Sequence, residues 1–226
     1  MNAHTANEPT ACPRLTDFDS SDWKQIERLF GSVPLWKFSQ AWRDKRERGF
    51  RGGKVRIGWR GDRLLYLTDL TDRDVVTAAS KRNDRMWELG DVLEIFAGEH
   101  ENPYYIEYQT APNGLVLQIL WPDASALQRT DGGTKLKAFI LEDDAAVARV
   151  RRTRNGWQVY GEIPAASVQA RKSSRKTLKG TVWDLSFGRY DYAADGKTFM
   201  LSSTSPLTKA SNHRRHEWQQ VVFVAD

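Results

Sequence analysis

The dipeptide Asn155-Gly156 restricts the fold more than any other feature of the chain. Asn-Gly between two alternating segments is the strongest short-range hairpin signal. The segments it joins, Ala146–Arg152 and Trp157–Ile163, read as paired strands, and Pro164 ends the second. The same pattern recurs on both sides. Val55–Trp59 alternates, Gly61-Asp62 marks a turn, and Leu64–Asp69 returns with Leu64, Tyr66 and Thr68 on one face. Asp91–Phe96, Tyr104–Thr110 and Leu115–Trp121 follow, the last two joined across Pro112-Asn113-Gly114. Leu136–Leu141, Val182–Tyr190, Phe199–Ser203 and Gln220–Val224 complete the set. About ten or eleven short strands separated by turns, with little helix, predict an all-β chain folded as a single antiparallel β-sandwich.

Short helices are expected only at the periphery. Asp19–Asp22 offers N-cap residues ahead of Trp23, Ile26, Leu29 and Phe30, which fall at helical spacing. Ala165–Ala170 reads as a helical turn. Leu35–Arg48 reads as a variable loop whose Trp36 and Trp42 either cover the sandwich or stack on a ligand. Residues 1–14 are small, polar and Pro-containing, and read as a disordered tail. Residues 15–226 show no repeat or linker and read as one domain.

Composition removes several function classes. The one cysteine, Cys12, excludes an intramolecular disulfide and a Cys-rich zinc site; in a polar tail it reads as an exposed thiol. The formal net charge is +5, but acidic residues interleave with the basic ones, so a solvated surface is expected rather than a nucleic-acid face. No apolar run is long enough to span a bilayer. Met1–Pro13 lacks the apolar core of a signal peptide, which leaves export undecided. A monomer is expected.

Chemistry concentrates at Asp84–Phe96, where a loop carrying Trp87 leads into a strand with a carboxylate at its middle. Leu93 and Ile95 take one face, and Val92, Glu94 and Phe96 the other. A carboxylate among apolar neighbours is costly unless a cation, a hydrogen-bonding ligand or an arginine pairs with it. Trp87 either packs the loop or offers a flat face on which a sugar or another ring could stack. Gln109 shares a strand face with Tyr105 and Glu107. Arg189 is in phase with Leu185 and Phe187, and is either the internal partner of Glu94 or a ligand contact. Asp91 and Glu94, three apart in a strand, point to opposite faces and make a poor glycosidase pair. No nucleophile elbow is present, and His213 and His216 lack a third metal ligand nearby in sequence. Calcium could sit at the acidic turns Asp72–Asp74 or Glu142–Asp144, although neither has the spacing of a known loop motif.

Several pieces fall in a telling order: Asp19 and Trp23; Val55–Trp59; Trp87 followed by Asp91, Glu94 and Phe96; Tyr104–Tyr108; Gly156-Trp157 followed by Glu162–Pro164; Ser186–Arg189; and His213–Trp218. This order resembles the family 9 carbohydrate-binding modules and their relatives among the DOMON-like β-sandwiches, over nearly the whole chain from Leu15. The resemblance implies an immunoglobulin- or jelly-roll-like sandwich that binds an oligo- or polysaccharide without catalysis, often with calcium stiffening its loops. It implies an extracellular or periplasmic setting. Carried over by position, Trp87 is the first of two stacking aromatics. Glu94 accepts from hydroxyls, Gln109 holds a long polar position, and Arg189 and Asp191 flank the same site. The second stacking tryptophan is absent, and Asn212-His213 stands in its place. The site would then recruit Trp36, Trp42 or Tyr192, or be altered or lost. Some DOMON-like relatives bind haem b through Met and His or Lys, which makes Met86, Met200 and His213 the alternative ligands; a structural or protein-binding sandwich is a third reading.

Overall fold

Alternation along each strand sorts side chains into two layers, and two sheets result. The structure is a computed structural model that describes residues 8–130, 135–142, 146–168 and 177–225. The strands are β1 (Thr10–Pro13), β2 (Leu35–Lys37), β3 (Gly53–Arg60), β4 (Arg63–Thr71), β5 (Val92–Glu99) and β6 (Tyr105–Thr110). They continue with β7 (Val116–Trp121), β8 (Val147–Thr153), β9 (Gly156–Pro164), β10 (Val182–Tyr192), β11 (Phe199–Ser203) and β12 (Gln219–Val224). One sheet runs β1-β12-β10-β5-β6-β7 with β11 also paired to β10; the other runs β2-β3-β4-β9-β8. The all-β sandwich expected from the sequence is present. Among the described residues its strand pairings are antiparallel except β1 with β12, which is parallel, as is the isolated bridge of Arg14 to Trp59.

Between the sheets lie Leu93 and Ile95 of β5, Ile106 and Tyr108 of β6, and Leu185 and Phe187 of β10. They face Val55, Ile57, Tyr66 and Val159 of the second sheet. Each such side chain contributes about 1.5–3 kcal/mol through burial. The outer face of the second sheet is covered by α1 (Trp23–Phe30), whose Ile26 and Phe30 pack on Leu65, Leu67 and Tyr160. Asp22 caps this helix, its side chain accepting from the Lys24 N–H at 2.8 Å. The first sheet is apolar on its outer face too, where Val92, Phe96, Tyr105, Leu117 and Trp121 form a separate cluster under a roof of loops.

The structure corrects five details. The hairpin at β8–β9 forms, but Thr153 pairs with Gly156, so its two loop residues are Arg154 and Asn155. Gly156 is required for another reason: at φ 145° it passes β4 so closely that a Cβ would lie 1.9 Å from the Leu70 carbonyl oxygen. Residues 10–13 are a strand rather than part of a disordered tail, because β12 offers them a ladder. Cys12 is consequently buried, and burial pushes its thiol far above the usual range. Leu136–Phe139 is a 3-10 turn rather than a strand, with only Ile140 bridging to Ile119, because Leu136 is drawn into the roof. Within the expected loop at Leu35–Arg48, β2 turns Trp36 into the inter-sheet core, edge-on to Phe187 with ring centroids 6.3 Å apart.

Candidate functional site

The roofed outer face of the first sheet holds a cavity of about 390 Å3. That is within the roughly 300–1,000 Å3 usual for small-molecule sites. Its floor is set by strand phase. Glu94 on β5 lies opposite Gln109 on β6, and two residues along β6 the same face carries Glu107. The phase that sends Leu93 and Ile95 inward turns Glu94 outward. Trp121 of β7 and Tyr190 of β10 share that face. The roof brings Trp42 from one loop, Trp87 from a second, and Asn212 and His213 from a third.

The two glutamates are almost fully enclosed, at 4% and 3% exposure. One amide joins them: Gln109 Nε2 donates to Glu94 Oε1 at 3.0 Å and to Glu107 Oε1 at 2.6 Å. Asn212 Nδ2 donates to the other oxygen of Glu94 at 2.9 Å, and the Trp121 indole N–H to the other oxygen of Glu107 at 2.8 Å. Burial, reinforced by the neighbouring Glu107, raises the Glu94 carboxyl well above the usual carboxylate range. Burial also lowers His213, favouring its neutral form. Its Nε2 lies 3.5 Å from Glu107 and its Nδ1 3.0 Å from the Tyr105 hydroxyl. Gly188 faces Glu94 across β10–β5, and a Cβ there would fall 2.2 Å from Asn212 Nδ2. The glycine leaves room for Asn212 to reach the acid.

Trp87 sits on a 3-10 turn, Met86–Glu88, anchored from below by buried Met86. The Tyr192 hydroxyl donates to the Trp87 carbonyl at 2.6 Å. The Arg85 guanidinium lies 5.0 Å from the indole ring centroid and pairs with Glu88 at 2.7 Å. The turn is therefore fixed while the indole stays half-buried at the cavity.

The structure divides the five expected site residues. Trp87 and Glu94 line the cavity, and Gln109 lies beneath it as the link between the acids. Arg189 and Asp191 do not belong to it. Arg189 follows the phase of Leu185 and Phe187 and points between the sheets, fully buried. Its Nη2 donates to Asp72 Oδ2 at 3.1 Å and Asp191 Oδ1 at 3.0 Å, and Nη1 reaches the Gly52 carbonyl at 3.3 Å. It is not the partner of Glu94. Glu107, Trp121 and Asn212 also line the cavity, and sequence reasoning did not assign them; the alternation of Tyr105, Glu107 and Gln109 was the available signal.

Asp72, Asp91 and Asp191 bring carboxylate oxygens within 4.8 Å of one another, the arrangement a metal ion would need. Calcium does not fit them. Arg189 already bridges two of the three, and both Asp91 oxygens accept backbone N–H groups, from Tyr192 at 2.7 Å and Val76 at 2.6 Å. Calcium takes six to eight free oxygens, and a guanidinium holds the position of the cation here. The other acidic turn expected to hold calcium lies largely outside the described residues; its Glu142 accepts from Asn83 at 3.1 Å. Nothing among the described residues supports the haem alternative, since neither Met86 nor Met200 lines the cavity that holds His213.

These features define a β-sandwich carrying an aromatic cavity on the outer face of one sheet. No protein-family model matches the chain, and no curated protein matches it in sequence. Among solved structures, it is similar to a protein from Bacteroides uniformis ATCC 8492 proposed to bind carbohydrate (TM-score 0.71, 15% identity, covering 95% of this chain and 99% of that one). It is also similar to a family 9 carbohydrate-binding module from Caldicellulosiruptor kristjanssonii in complex with cellotriose (TM-score 0.64, 11% identity, covering 96% and 94%). The same kind of module from that organism in complex with glucose gives a TM-score of 0.59 at 12% identity, covering 96% and 94%. The chain has a family 9-like fold. No helix among the described residues is long and apolar enough to cross a membrane.

Proposed function

We propose that this protein binds an oligo- or polysaccharide without catalysis, seating one sugar ring in the roofed cavity. The observation that carries this reading is the pairing, in one cavity, of half-buried indoles with two enclosed carboxylates. The C–H face of a pyranose packs on an aromatic ring, and its hydroxyls need strong acceptors once water is gone. Trp87 supplies the face, and Glu94 and Glu107 accept from hydroxyls while Gln109 holds them in place. Trp42 supplies a second aromatic, replacing the tryptophan missing at residue 212. The similar modules crystallised with cellotriose and with glucose support the reading. A glycosidase needs carboxyls flanking a bond from opposite sides. Glu94 and Glu107 instead rise from one sheet face and share one amide donor.

The test is a glycan array followed by affinity electrophoresis with Trp87→Ala. Losing the stacking face removes about 1–3 kcal/mol, roughly five- to 150-fold in affinity. A wild-type chain that binds no glycan would end the carbohydrate reading and leave the fold assignment intact.

A further inference from the structure

The cavity is rich in acceptors and short of positive charge. Among the described residues, the side chains within hydrogen-bond or ion-pair reach of Glu94 and Glu107 are those of Gln109, Asn212, Trp121 and His213. None is a permanent cation, and burial favours the neutral form of His213. Arg85 lines the cavity, but its guanidinium pairs with Glu88 at 2.7 Å and lies over the Trp87 ring. Two enclosed carboxylates without a cation are costly unless a proton or a ligand supplies the charge. Around them stand Trp42, Trp87, Trp121 and Tyr190, whose ring faces attract ammonium groups.

We infer that the preferred ligand is an amino sugar, its protonated amine seated between Glu94 and Glu107 and its ring against the indoles. This rests on the carbohydrate reading above and narrows it to a cationic sugar class. The ammonium has three donors. It brings a full positive charge to the acid pair, while the sugar's hydroxyls take the remaining acceptor capacity of the two carboxylates. A neutral sugar in the same place leaves the charge of the pair uncompensated. An N-acetylated sugar brings bulk and no charge.

The titratable and charged groups around Glu94 are Glu107 and Tyr105 of β6, Tyr190 of β10, His213 of the roof, and Arg85 of the lining, which pairs with Glu88. Burial holds both tyrosines neutral. An ammonium needs Glu94 ionised, so amino-sugar affinity should rise with pH through the elevated range of that carboxyl, up to the pH at which the sugar amine itself gives up its proton, about 8. Neutral sugars should not follow this rise.

The test is calorimetric titration of the whole chain with glucose, glucosamine and N-acetylglucosamine, then galactose and galactosamine, at several pH values. The amine form should bind at least about tenfold tighter than its neutral and acetylated counterparts, the scale of one charge-assisted hydrogen bond. In Glu94→Gln and Glu107→Gln, the ratio of amine to neutral affinity should collapse toward one. Should either variant fail to fold, the wild-type pH profile decides alone. Equal affinities for amine and neutral forms, or an amine affinity flat with pH, would overturn the inference while the carbohydrate reading stands. If the array shows no glycan bound at all, both fall together.

Discussion

Replacing Arg189 with Met should reveal how much of the sandwich depends on one internal cation. Arg189 is fully buried and bridges Asp72 and Asp191 at 3.1 and 3.0 Å. Methionine keeps much of the volume and removes the charge; Asp72 retains Arg51 at 3.2 Å, while the enclosed Asp191 loses its guanidinium partner beside Asp91. Breaking a buried pair from one side costs about 3–5 kcal/mol. For a domain of this size that corresponds to a fall in Tm of roughly 6–20 °C. The cost should depend on pH. Burial already raises Asp191 to about 6 and Asp91 to about 7 in the native protein. Carboxyls raised on folding bind protons more tightly in the native state, so stability falls as pH rises through the interval from the ordinary carboxylate range to about 7. Removing the guanidinium pushes the cluster higher and steepens that fall. Urea denaturation at pH 5 and pH 8 should therefore show a larger deficit for Arg189→Met at pH 8. A deficit below about 1 kcal/mol at pH 8, or equal deficits at both values, would refute the account of Arg189 as the cation of this cluster.

Further expectations follow from close approaches and burial. Gly161→Ala places a Cβ 2.1 Å from the Tyr66 hydroxyl oxygen, inside the core, and should cost about 1–3 kcal/mol in urea denaturation. Gly188→Ala displaces Asn212 from Glu94 and should weaken glycan binding in affinity electrophoresis more than it lowers Tm. The Cys12 thiol, raised by burial, should resist a thiol-specific reagent in the native protein and react fully in urea. Native labelling at the denatured rate would contradict the pairing of β1.

Much of the architecture was legible because period-two alternation reports which residues a sheet buries. It put Leu93 and Ile95 on one face and Glu94 on the other, and it marked Trp87 as the loop aromatic ahead of that strand; which face turns inward is seen only in the packed sheets. The same periodicity put Arg189 with Leu185 and Phe187. Sequence alone could not show that Gly188, rather than Arg189, would meet Glu94 on the outer face, because that requires the register between β5 and β10. The roof was hidden for a related reason. Trp42, Trp87 and Asn212 come from loops far apart in sequence, and no local pattern reports their convergence. Leu136–Leu141 looked like a strand because an apolar run reads alike in a sheet edge and in a packed turn. Its burial under the roof selected the turn.

The parallel pairing of β1 with β12 ties residues 10–13 to residues 221–224. A ribosome delivers the first of these long before the second, so the opening segment waits unpaired while the rest of the sandwich assembles. Closure of that edge is a late, long-range event, of the kind that slows folding. Throughout the wait the Cys12 sulfur is open to oxidants that the finished protein excludes.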